Sequence, residues 1–196
     1  MTLDTLKRRM EDTLPPKRFS HVLAVVETAV ELADIYGADK ALLSVASLLH
    51  DCTKPFTAEE HIAYAEKHSL KLSSDDLASP EVLHARTGAV MSRDELGQGD
   101  SVFSLIYCHC TAKPDMTLEE KLLFLSDFIE ATRTHKICQD TRREFFSSLK
   151  DHTDKMRLLD QTVLRVLEST VEHLKKKGSY IHSDTLRAIE FLKSED

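Results

Sequence analysis

Residues 40–54 read Lys-Ala-Leu-Leu-Ser-Val-Ala-Ser-Leu-Leu-His-Asp-Cys-Thr-Lys, and this stretch decides the fold. Ala41, Leu42, Leu43, Val45, Ala46, Leu48 and Leu49 leave almost no polar face, the pattern of a helix buried all round. It ends in His50-Asp51, and Lys54-Pro55 closes it. A histidine and an aspartate adjacent in sequence can reach one cation, but a metal needs further ligands. A buried helix, in turn, needs other helices around it.

The flanking chain supplies them. On the N-terminal side, Leu3, Leu6 and Met10 predict a short amphipathic helix over 1–12, which Pro15-Pro16 ends. A long helix follows from about Lys17 to Tyr36, with Val22, Val25, Val26, Ala29, Leu32 and Ala33 at i, i+3, i+4 spacing and Gly37 as its stop. On the C-terminal side, Thr57 and Glu60 form a capping box for a helix over 58–68, and Thr117 and Glu120 for one ending at Ile129. Between them, Ser73-Ser74-Asp75-Asp76 reads as a polar connection, Pro80 starts a helix carrying Val82, Leu83, His84, Val90 and Met91, and 101–108 is a short apolar helix. Helices are predicted over 141–149, 154–177 and from Ser183 onward. With only 5 Gly and 5 Pro the chain lacks the turns of an all-β fold. The expectation is an all-α, single-domain bundle of roughly eight to ten helices over 1–196, with 17–133 as the core of the site and 139–196 completing its pocket.

A formal net charge of -7 argues against a general nucleic-acid binder, although a local basic pocket can still hold a small phosphate ligand. Cys52, Cys108, Cys110 and Cys138 form no C-x-x-C pair or secreted disulfide framework. Met1 is followed by polar residues, and no apolar run approaches the ~18 residues of a membrane helix. These features predict a cytoplasmic protein with reduced thiols and no membrane partner.

Four residues can complete the shell around His50 and Asp51. His21 leads the buried row His21, Val25, Ala29, Leu32, so it points inward. Asp127 lies inside the apolar run Leu-Leu-Phe-Leu-Ser-Asp-Phe-Ile, where a carboxylate is costly to bury without a positive neighbour. His84 and His109 come from two further helices. Imidazole with carboxylate suits iron, manganese or zinc, and two His with two Asp leave positions open for water and substrate on an octahedral ion. The run Cys108-His109-Cys110 looks like a soft metal site, but its members are too close in the chain for one tetrahedral cage, so both thiols are read as core or pocket wall. Most of His61, His68, His135, His152 and His173 are read as surface.

The order H…HD…D on successive helices resembles the HD-domain superfamily of metal-dependent phosphohydrolases. Lys17–Leu23, Leu48–Lys54, His109–Met116, Ser126–Arg133 and Ile181–Leu186 narrow the likeness to the YqeK-type HD proteins, in family order and over nearly the whole chain. The resemblance implies symmetrical hydrolysis of diadenosine tetraphosphate and related dinucleoside polyphosphates to two ADP. It implies iron, one ion or two, with manganese or another divalent metal as the alternative. His21, His50, Asp51 and Asp127 match metal ligands. Asp51, His84 and His109 match catalytic positions, with His84 and His109 facing the phosphates or a second metal. Cys52, Thr53, Lys54, His84, His109, Cys110, Asp127, Arg133, Thr170 and Leu174 match the nucleotide contacts. Cys110 stands where the family usually has Thr, Ala112-Lys113 where it often has Gly-Arg, Ala131-Thr132 where it has a Pro-containing pair, and Ser183 where it has Pro.

Without the resemblance, Arg133 reads as a surface ion pair with Glu130 and Lys54 as a solvated loop side chain. Two other functions stay open: another HD phosphohydrolase, such as a nucleoside 5′-monophosphatase or cyclic-nucleotide phosphodiesterase, and a non-catalytic nucleotide-binding module. Leu3, Leu6 and Met10 serve either a homodimer contact or a cap on the core.

Overall fold

The computed structural model describes residues 1–195; Asp196, grouped above with the C-terminal helices, lies outside the described residues. Among the described residues there are eleven α-helices, a 3-10 turn at Pro80–Val82 and no strand. The helices are α1 (Leu3–Thr13), α2 (Pro16–Tyr36), α3 (Lys40–Leu49), α4 (Ala58–Lys67), α5 (Ser74–Ala78), α6 (Leu83–Asp94), α7 (Asp100–Cys108), α8 (Leu118–Ile129), α9 (Lys136–Ser148), α10 (Lys155–Lys177) and α11 (Ser183–Ser194).

Helix α3 is the hub, packed by α1, α2, α7 and α8. Leu43 and Leu49 are 0% exposed, and each such side chain contributes about 1.5–3 kcal/mol by leaving water. Asp39 caps α3 by accepting from the Leu42 N–H at 2.9 Å. Gly37, left-handed at φ 69°, turns the chain from α2 into that cap. Leu6 and Met10 of α1 are buried in the core and cap α3, while Leu3 stays 44% exposed.

Three local readings change. The polar connection at 73–76 holds a helix, α5, because Ser73 and Asp76 cap one another's backbone N–H groups. Helix α9 starts at Lys136 rather than near 141, and it buries Cys138, Thr141 and Phe145 at i, i+3, i+7 spacing among charged neighbours that mask the pattern. His61, read among the surface histidines, is 4% exposed, and its Nδ1 lies 2.8 Å from Thr87 Oγ1.

A buried ion network ties the C-terminal helix to α6. Arg86 is 1% exposed, and its guanidinium bonds Asp76 at 2.7 Å and Asp184 at 3.2 Å while lying 4.0 Å over the Tyr107 ring. His182 reaches the same Asp76 oxygen at 3.2 Å. Burial would raise the Asp76 carboxyl, but the Arg86 guanidinium and Ser73 outweigh it and hold it below its ordinary value. Elements α5, α6, α7 and α11 thus meet on one cation, and α6 carries His84.

Candidate metal centre

Four buried histidines from four helices stand in a row. His21 lies near the start of α2, His50 caps the end of α3, His84 opens α6 and His109 follows α7. Neighbouring ring centroids are 5.5 Å apart for His21 and His50, 5.1 Å for His50 and His109, and 5.1 Å for His109 and His84.

The hydrogen bonds of the row fix its tautomers. His50 Nδ1 lies 2.6 Å from Ser47 O, His84 Nδ1 2.7 Å from Glu81 O, and His109 Nδ1 2.7 Å from Ile106 O. Each partner is the backbone carbonyl three residues earlier. A carbonyl only accepts, so each Nδ1 carries a proton, and Nε2 is the ring atom turned toward the cluster. His21 Nδ1 donates likewise to the Glu130 carboxylate at 3.1 Å. Nε2 of His21 and of His50 is buried with no hydrogen-bond partner. An unpartnered buried polar atom costs about 1–3 kcal/mol. An imidazole held through Nδ1, with Nε2 aimed into a polar cluster, is oriented as a metal ligand.

Two carboxylates face those nitrogens. Asp127 Oδ1 is 3.1 Å from His21 Nε2 and 3.9 Å from His50 Nε2. Asp51 Oδ2 is 3.4 Å from His50 Nε2 and 3.7 Å from His21 Nε2. Burial would raise both carboxyls, but neighbouring charge outweighs it: His50 and His84 hold Asp51 well below the ordinary range, and His21, His50 and Arg133 lower Asp127. His21, His50 and Asp127 can hold one cation, and so can His50, Asp51 and His109. The donor set, the orphaned Nε2 atoms and the ionised carboxylates fit a divalent metal.

The far end of the row has a different character. His84 Nε2 and His109 Nε2 are 3.2 Å apart, and Cys110 Sγ lies 3.3 Å from the first and 3.4 Å from the second. Burial would lower His84, but Cys110 and Asp51 raise it to about 9. Burial would raise the Cys110 thiol, but His109 and His84 hold it well below its ordinary value. Cys108, by contrast, sits against Leu105 O in the core, and burial pushes its thiol up to about 12. Of the Cys108-His109-Cys110 run, only the last two converge, and they take His84 from another helix as their third member.

A cavity of about 510 Å³ opens beside His21, lined by Lys17, Arg18, Lys54, Arg133, Thr132 and Glu130 among others. Arg18 bonds Asp51 Oδ2 at 2.8 Å. Arg133 bonds the Asp127 carboxylate and its backbone carbonyl, the latter at 2.9 Å, so it is more than a surface partner of Glu130. Lys54 Nζ lies 3.1 and 3.2 Å from the two nitrogens of His84 and also lines the cavity, rather than extending into solvent.

Several expected nucleotide contacts fall elsewhere. Cys52 and Thr53 are buried and face α6: Cys52 Sγ is 3.8 Å from Gly88 O, and Thr53 Oγ1 donates to His84 O at 2.9 Å. They fasten the turn after Asp51 to the helix of His84, so their side chains do not face the cavity. Thr170 donates to Val166 O of its own helix, and no described contact carries Thr170 or Leu174 to the cluster. Their helix, α10, packs on α8, α9 and α11. Two site residues went unassigned from sequence. Arg18 precedes His21 by three residues and Glu130 follows Asp127 by three, so each shares a helix face with a candidate ligand, and that spacing was the available signal.

Comparison with known proteins follows the same residues. A model of the HD domain matches residues 18–132, a span that includes all four histidines of the row and both aspartates. A protein of Halalkalibacterium halodurans named symmetrical bis(5′-nucleosyl)-tetraphosphatase is 34% identical over 88% of this chain and 87% of its own. A Staphylococcus aureus protein of that name is 31% identical, over 100% of this chain and 97% of its own. A crystal structure from Clostridium acetobutylicum, described as a predicted HD superfamily hydrolase involved in NAD metabolism, superposes with a TM-score of 0.89 at 27% identity, covering 100% of this chain and 99% of that one.

Proposed function

This chain belongs to the HD-domain family, and from that premise we propose that it hydrolyses diadenosine tetraphosphate and related dinucleoside polyphosphates symmetrically, to two ADP. Water breaks the P–O–P bridge between the second and third phosphates, its oxygen joining one phosphorus while the other ADP leaves. The substrate comes from the names of the H. halodurans and S. aureus relatives. The observation that carries the reading is electrostatic. In a chain of net charge -7, Lys17, Arg18, Lys54 and Arg133 gather at the cavity that His21 of the His/Asp cluster lines. Such a local field draws in and holds a polyphosphate.

His21, His50, Asp51 and Asp127 hold the metal in this proposal, and iron is the ion proposed, with manganese as the alternative; the mixed imidazole and carboxylate set supports both. The ion supplies water activation and polarisation of a phosphoryl oxygen. The chain supplies the rest. Arg133 and Arg18 can turn from Asp127 and Asp51 to fork phosphate oxygens. Lys54 neutralises charge developing on the leaving diphosphate, and His84, next to it, is placed to deliver a proton there. Residues 1–196 act as one domain in this proposal, supported by one contiguous core. Its four free cysteines suit a reducing compartment such as the cytoplasm. Among the described residues, no helix is long and apolar enough to cross a membrane.

The test is anaerobic purification, metal analysis, and chromatography of products from a panel of nucleotides. Two ADP per diadenosine tetraphosphate supports the proposal. Free phosphate released from a monophosphate, or nucleotide binding without turnover, overturns it.

A further inference from the structure

We propose that the cavity at the His84 end of the histidine row is the subsite for one nucleoside of the dinucleotide, with Phe56 as the ring on which its base stacks. The inference rests on the substrate proposed above and adds the place of the half that leaves. A cavity opens at each end of the row. His21 lines the first, of about 510 Å³. His84 lines the second, of about 290 Å³, with Lys54, Phe56, Ala58, His61, Pro80 and Glu81. Lys54 lines both, so the two adjoin. Symmetrical cleavage leaves two phosphates on each adenosine, so the bridge that breaks is at the middle of the molecule. An extended substrate centred on the His/Asp cluster sends its two adenosines in opposite directions, one toward each cavity.

The linings differ as phosphate and nucleoside differ. Four lysines and arginines, Lys17, Arg18, Lys54 and Arg133, line the cavity at His21. The cavity at His84 has Lys54 alone of that kind, together with the Glu81 carboxylate and the apolar side chains of Phe56, Ala58 and Pro80. A carboxylate repels phosphate but accepts from the hydroxyls of a ribose. Small-molecule sites run to roughly 300–1,000 Å³, so this cavity suits one nucleoside and not a dinucleotide. Phe56 is half-buried, and its ring leans on those of His61 and Tyr64, with centroids 5.5 and 5.9 Å away. A ring held in this way gives up little freedom when a base stacks on it. Lys54 Nζ, 3.1 and 3.2 Å from the two His84 nitrogens, stands where the diphosphate of that half passes between base and cluster.

The test uses the full, metal-loaded chain and two ligands, inorganic tetraphosphate and a diadenosine tetraphosphate with a methylene in place of its central bridging oxygen. Calorimetry then reads binding without turnover. Phe56→Ala should weaken the dinucleotide about 5–150-fold, the range for one lost base stack, and leave inorganic tetraphosphate unchanged. Phe56→Tyr should restore the affinity. Ala58→Leu, at an exposed position, fills the cavity from its rim and should weaken the dinucleotide alone, so the proposal stays open to refutation if Phe56→Ala fails to fold. Unchanged dinucleotide affinity in these variants, or an equal loss for both ligands, overturns the subsite. Wild type that binds the methylene analogue but does not cleave diadenosine tetraphosphate overturns the reaction and leaves the subsite standing. Cleavage with a KM that Phe56→Ala does not move overturns the subsite and leaves the reaction standing.

Discussion

His21 Nδ1 donates to Glu130 Oε1 across 3.1 Å, and the same oxygen accepts from the Thr132 hydroxyl at 2.9 Å. Glu130 is 2% exposed, so a buried carboxylate orients the imidazole and fixes its tautomer. Glu130→Gln keeps the shape and removes the charge. Metal affinity should fall about 10–100-fold with the fold intact. Competition with a chelator of known affinity reads this directly, and an unchanged affinity would show that Glu130 only closes the loop after α8.

Arg133 sits on Asp127 from the cavity side. Arg133→Ala should keep the metal and lower kcat/KM about 10–100-fold, the scale of about 1.5–3 kcal/mol for a hydrogen bond to a charged group. Steady-state kinetics with metal analysis on the same preparation checks both halves. Loss of metal would mean that Arg133 serves to position Asp127 rather than to bind phosphate.

The Arg86 network predicts a large stability effect far from the cavity. Arg86→Leu leaves the buried Asp76 carboxylate without its cation, and removing one partner of a buried pair costs about 3–5 kcal/mol. The urea midpoint should drop accordingly. A shift under about 1 kcal/mol, the worth of an exposed pair, would mean that His182 and Ser73 suffice to hold Asp76.

His61 carries a pH prediction. Burial, with the charges of His84 and Lys54, pushes it down to about 4 from an ordinary value of 6.5. Between those two values the unfolded chain binds a proton there that the folded chain does not, so stability rises with pH. This penalty is absent above pH 6.5 and grows as pH falls toward 4. His61→Gln should flatten the Tm profile between about pH 7 and pH 5 relative to wild type. An equal slope in both proteins would show that His61 is protonated in the fold.

The helices and the inward direction of His21 and Asp127 were legible because hydrophobic periodicity reports burial directly. His21 and Asp127 occupy positions where the pattern of α2 and α8 otherwise puts apolar side chains, and a polar group there stands out. Arg86 did not stand out, although it is as buried as any leucine, because its partners Asp76 and Asp184 are 10 and 98 residues away in sequence. The direction of the Cys52 and Thr53 side chains was hidden for a related reason. Adjacency to Asp51 says nothing about which way a side chain turns, and both turn to α6. Cys110 was discounted because a short run of ligands cannot cage an ion alone, and its third partner, His84, came from another helix.

Three of the four histidines take their orienting bond from the carbonyl three residues before them, where a helix begins or ends. Ser47 O and Ile106 O lie in the last turns of α3 and α7, where carbonyls lack intrahelical partners, so at those two ends helix termination and imidazole alignment are one event. Extending α3 or α7 by even one residue could not be tolerated, since it would rotate His50 or His109 by roughly 100° around the helix axis. A designer transplanting this centre into another bundle would copy helix ends, their register and the turns that carry Asp51, Lys54 and Arg133.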